Sequence, residues 1–127
     1  MTDSKAFGQH AESAAERYLR RRGYRIVERN ARSSYGELDL VAEHGNILVF
    51  VEVKARRTSA FGGAPYAVDG RKRDRLIRLA ANYLAQRKLK ERLCRFDVVL
   101  CTGDGDQPGD IQHIENAFEV PGDELQW

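Results

Sequence analysis

The run Ile47–Val53 constrains this chain more than any other stretch. It reads ILVFVEV, apolar on both faces of an extended strand, and such a strand has to lie inside a sheet covered on each side. Charge is set into the end of that run, at Glu52 and Lys54. Glu37 and Asp39 stand in GELDLVA just before it. A buried charge is costly unless it is paired or holds a metal. These four positions therefore raise a question of function as well as of fold.

The rest of the sequence supplies the neighbours that such a strand needs. Residues 5–22 place Phe7, Ala11, Ala14, Ala15, Tyr18 and Leu19 at helical steps, and Gly23 follows as a stop. Residues 24–29 alternate as a strand, and NARSSYG reads as a turn-rich connection. Strands over 37–42 and 47–54 form a hairpin about EHGN. A long Gly- and Pro-containing loop, 56–69, leads into a second helix over 70–90 with Leu76, Leu79, Ala80, Tyr83 and Leu84 on one face. Strands over 95–101 and 111–115 follow, and residues 118–127 are a loosely specified acidic tail. The pattern predicts an α/β fold of order αβββαββ, a mixed central sheet flanked by helices. The second helix serves as the crossover of a parallel strand pair. A length of 127 residues suits one domain.

Several functions are disfavoured at once. No apolar run approaches the roughly 18 residues of a membrane span. The N-terminal stretch lacks the apolar centre of a signal peptide, so the expected location is cytoplasmic, with no membrane partner. On one strand, Cys94 and Cys101 would face opposite sides about 23 Å apart, which excludes a disulfide. His10, His44 and His113 lack zinc spacing, and TGDGDQPGD lacks the spacing and terminal glutamate of a calcium-binding EF-hand loop. The net charge of +2 hides a strong asymmetry: residues 54–95 carry +10 and residues 96–127 carry −8. Of the 21 basic residues 16 are arginine, whose planar fork suits phosphate, so the basic block points to a polyanionic partner.

The charged hairpin gives the chemistry. A two-residue loop of His44 and Gly45, or a four-residue loop, sets Asp39 across from Phe50 and Glu37 across from Glu52. All four charges then point to one side. Carboxylates so close raise one another's pKa, and a hard divalent cation removes the conflict. Magnesium, with manganese as its substitute, would polarise a phosphoryl oxygen and acidify a water, and Lys54 would assist. Such a site suits phosphodiester hydrolysis.

Asp39, Glu52, Val53 and Lys54 fill the signature of the restriction-endonuclease-like superfamily: an acid, a spacer, then Asp or Glu, any residue, and Lys. The segments GYRIVERNARSSYGELDLVA, LVFVEVKAR, AFGGAPYAVDGRKRDRL, AANYL, RFDVV and HIENAF resemble the YraN-like family of small bacterial proteins, over residues 8–118 or so. That family is similar to the archaeal Holliday-junction resolvases. The resemblance implies a magnesium-dependent nuclease for branched or structured DNA, with a homodimer as an implied assembly. In it Asp39, Glu52 and the Val53 carbonyl ligate the metal and Lys54 assists the water. Glu12 on the first helix joins them, with Glu16 as its rival, and Glu37 supports from behind. Arg32, Arg56, Arg57, Arg71, Lys72, Arg73 and Arg75 are the expected nucleic-acid contacts. The alternatives are a nucleic-acid-binding module without catalysis, and a protein-interaction module built on the basic helix and acidic tail.

Overall fold

The computed structural model describes residues 4–56, 70–103 and 110–119. The long loop from 57 to 69, the polar turn at 104–109 and the tail beyond 119 lie outside the described residues. The elements are α1 (Ser4–Arg21), β1 (Arg25–Ser33), β2 (Gly36–His44), β3 (Ile47–Arg56), α2 (Gly70–Gln86), β4 (Leu93–Thr102) and β5 (Asp110–Ile114). The five strands form one sheet in sequence order. All neighbours are antiparallel except β3 and β4, which run parallel across the α2 crossover. The expected αβββαββ fold with a mixed sheet and flanking helices is the fold observed.

Each helix covers one face. On one side Ala11, Ala15 and Leu19 of α1 pack with Leu40, Ala42, Val49, Val51, Val99 and Cys101. On the other Leu76, Leu79, Ala80, Tyr83 and Leu84 of α2 pack with Val41, Leu48, Phe50 and Phe96. The central strands are thus apolar on both faces because both faces are covered. Cys94 and Cys101 are buried free thiols, one in each layer, as seven residues along one strand require. Burial pushes both thiols up to about 11, which suits packing rather than reactivity.

Helix α1 ends as its glycine predicts. Gly23 takes φ +90 and donates its N–H to the Arg20 carbonyl, while the Tyr24 N–H reaches the Leu19 carbonyl, a Schellman cap. Helix α2 closes in the same way through Leu89 N–H to the Leu84 carbonyl at 2.8 Å, but Lys88 fills the left-handed position at φ +58. That end comes four residues earlier than the periodicity suggests.

Two further expectations need correction. The strand over 24–29 does not stop at Asn30. It continues through Ser33, so NARSSYG is mostly strand. The hairpin turn is Gly45–Asn46, not His44–Gly45: the ladder runs His44↔Ile47, Ala42↔Val49, Leu40↔Val51. Gly45 at φ +63 fills the first turn position, which a type II′ turn reserves for glycine. The shift has a cause twenty residues away. His44 stays in the strand because its ring stacks on Tyr24, centroids 4.2 Å apart and planes 4° from parallel. Ion pairs from Arg25 and Arg92 to Glu43 hold the same strand end.

Candidate active site

The corrected register changes which residues meet. Its parity is unchanged, but it slides by two residues. Val41 lies across from Phe50 and Leu40 from Val51, the last pair of the ladder, so Asp39 comes beside Glu52 and Val53 rather than Phe50. On the other flank the β1–β2 register sets Asn30 across from Asp39. Asn30 and Asp39 therefore share a row, with Glu52 just past the last β2–β3 pair.

Regular alternation fails at this row. Asn30 sits at φ +50, a left-handed conformation that asparagine tolerates better than most residues. On one side of the row Leu40 packs with α1, and on the other Leu38 packs with α2, though the two are only two residues apart. The expectation that all four charges share one face is corrected accordingly. Glu52 follows Phe50 to the α2 side and pairs with Lys72 of α2 at 3.0 Å. Glu37 turns instead to Asn30, whose Nδ2 donates to Glu37 Oε1 at 2.8 Å and to Glu12 Oε1 of α1 at 3.0 Å. Asp39 lies between these groups. Its Oδ2 accepts the Val53 N–H at 2.8 Å, where the β2–β3 ladder gives out.

The electrostatics follow from that placement. Burial first, then repulsion from Glu52, pushes the Asp39 carboxyl up to about 7. The Val53 N–H opposes the shift, while Glu12 and Glu37 add to it. Asp39 thus feels all three other acids at once. Glu16, one turn beyond Glu12, is committed elsewhere: burial raises its pKa, but hydrogen bonds from Arg20 and Arg29 outweigh that and hold it below the ordinary range. A small cavity of about 180 Å³ opens beside Glu12, Ser13, Asn30 and Leu40.

The other expected residues are distributed as follows. Lys54 is exposed two residues beyond Glu52 on β3, across from Leu100 of β4. Val53 is half-buried beside it. Arg32 is exposed and its Nε contacts Glu37 Oε2 at 3.1 Å. Arg71, Arg73 and Arg75 are exposed on the first turns of α2. Lys72 points to Glu52 rather than outward. The Arg56 side chain and Arg57 lie outside the described residues. Sequence reasoning missed Asn30, the residue that ties Glu12 to Glu37. The sequence carries no signal for it, because an asparagine opening NARSSYG reads as an ordinary turn residue.

The donor set is all carboxylate oxygen with a backbone carbonyl at hand, the set magnesium or calcium prefers. A divalent ion would also relieve the repulsion that raises Asp39. As placed, however, no three His, Cys, Asp or Glu side chains among the described residues form a metal-holding group. The Lys72 ammonium supplies the positive charge at Glu52.

A parallel strand pair in a mixed five-stranded sheet, helices on both faces, and acids gathered where two strands part define a class of α/β protein with its polar centre at a sheet opening. The chain belongs to the uncharacterised protein family UPF0102, whose profile matches residues 11–101. It is 44% identical to the UPF0102 protein of Magnetococcus marinus over 91% of this chain and 94% of that protein. Identity with the relative from Moorella thermoacetica is 48%, over 87% and 93%. With the Pseudomonas aeruginosa relative it is 45%, over 94% of this chain and all of that protein. Among solved structures, Pyrococcus furiosus SfsA in complex with Ca2+ aligns over 93% of this chain and 66% of that one. The identity there is 18% and the TM-score 0.42, too distant to support an argument. No helix among the described residues is long and apolar enough to cross a membrane.

Proposed function

We propose that this protein is a magnesium-dependent nuclease acting on DNA, with branched or otherwise structured DNA as its substrate. The observation that carries the reading is the meeting of Asp39 with Glu52, Glu12 and Glu37 at the sheet opening, with Asp39 raised to about 7. Asp39, Glu52 and the Val53 carbonyl would hold the metal. When bound, the metal would supply a Lewis acid for a phosphoryl oxygen and an acidified water. Glu12, fixed by Asn30, would accept hydrogen bonds from that water. Lys54 would donate from Nζ to the water or to the phosphate as charge develops. Arg71, Arg73 and Arg75 would take the flanking phosphates at the electropositive start of α2.

A second reading is favoured by one observation. Lys72 already neutralises Glu52, so the same fold could bind nucleic acid without cutting it. A magnesium titration with branched and duplex DNA separates the two. The nuclease reading expects nicking that requires the ion, and a loss of about 10²-fold or more in Asp39→Ala and Lys54→Ala while DNA binding persists. Binding with no magnesium-dependent nicking would leave only the second reading.

A further inference from the structure

A second surface lies between the β1–β2 turn and the outer side of α2. Tyr35, at the β1–β2 turn, is 53% exposed, the most exposed large apolar side chain among the described residues. It borders a cavity of about 430 Å³ whose other lining residues are Arg78, Ala81 and Asn82. No carboxylate lines that cavity among the described residues. The turn is held in place. The Tyr35 N–H donates to Ser33 Oγ at 3.1 Å, and a side chain at Gly36 would reach Leu79 of α2. Arg71, Arg75, Arg78 and Asn82 recur at helical steps along α2 and lead to this cavity, with the exposed Asp74 beside them one turn before Arg78. Tyr35 stands in the turn four residues before Asp39, so the chain sets the two at most about 13 Å apart.

We infer that Tyr35 is a stacking platform for one unpaired nucleobase. Arg78 and Asn82 meet its edge and flanking phosphate, and the strand is led along the α2 stripe. An exposed aromatic face beside a guanidinium, an amide and a small alanine floor matches what a base offers: a flat π-surface, edge donors and acceptors, and an adjoining negative charge. Three arginines against the single Asp74 leave this face net positive, which suits a polyanion. The inference rests on the nuclease reading in one respect: it assigns that enzyme substrates with an unpaired base a few nucleotides from the cut, such as flaps, bulges and junctions.

The test is equilibrium binding in EDTA by fluorescence anisotropy, with a labelled flap duplex and a blunt duplex of equal length. Wild type should favour the flap. Tyr35→Ala should weaken flap binding about ten-fold and leave blunt-duplex binding unchanged, while Tyr35→Phe and Tyr35→Trp keep the preference. A 5-iodouracil placed at the unpaired position should photo-crosslink to Tyr35. The inference is overturned if Tyr35→Ala binds the flap as wild type does. It is equally overturned if flap and duplex weaken together, or if Tyr35→Phe behaves as Tyr35→Ala. Those results leave the nuclease reading standing, provided Asp39→Ala still abolishes magnesium-dependent cleavage. If wild type binds neither DNA, both readings fall.

Discussion

Asp97, buried, and Asp39, half-buried, show how one residue type can be driven in opposite directions. For Asp97 in β4, only 1% exposed, burial alone would raise the pKa. Hydrogen bonds from His113 at 2.7 Å, from Arg95 at 2.8 and 2.9 Å, and from the Asn116 N–H at 3.1 Å outweigh it and hold the carboxyl below its usual range. Its contribution to stability is therefore complete above about pH 4 and is lost as acid carries the pH down through the folded-state pKa. Urea melts should show wild type losing stability below pH 4 more steeply than Asp97→Asn, a variant that costs about 3–5 kcal/mol at pH 7 by stranding its partners. Asp39 is the reverse case. With its carboxyl raised to about 7, the folded state resists ionisation, so stability falls as pH climbs from about 4 to 7. Asp39→Asn keeps an acceptor for the Val53 N–H and removes the charge. Without divalent ions at pH 8 it should be more stable than wild type by about 1–3 kcal/mol, and the gap should close towards pH 4. A gap independent of pH would show that charge is not the cause.

At the scale of elements, most of the architecture was legible. Apolar spacing gave both helices and their buried faces, and the doubly apolar run gave the central strand. What was not legible came from contacts distant in sequence. The hairpin register is set by His44 stacking on Tyr24, which no local turn rule contains. The extension of β1 depends on Asn30 taking a left-handed conformation opposite Asp39. The pairing of Lys72 with Glu52 joins a helix to a strand across the long loop. Spacing singles out Glu37, Asp39 and Glu52 as candidates but not the division of the acids between the two faces, because strand alternation breaks beside Asp39. One element carries a cost that can be removed. Lys88 holds the left-handed cap position of α2, where glycine has no penalty. Lys88→Gly should raise stability by about 0.5–1 kcal/mol in urea denaturation, and Lys88→Ala should not.

At the scale of the whole molecule, charge and opening are arranged together. The acids converge where β2 and β3 part, and the basic start of α2 stands over the same edge through Lys72 and Glu52. If arginines of α2 carry the phosphates, DNA affinity must fall with salt by about 0.9 in log–log slope per contact on duplex DNA. Arg75→Ala should then lower that slope by roughly one. The central claim, however, concerns the opening itself: Asp39 and Glu52 form a place for a small divalent cation, held in its absence by Lys72. A crystal structure with manganese tests this most directly. The account predicts an anomalous peak between the carboxylates of Asp39 and Glu52, with the Lys72 ammonium withdrawn from Glu52. A crystal saturated with manganese that shows no peak there, and Lys72 still paired with Glu52, would contradict it.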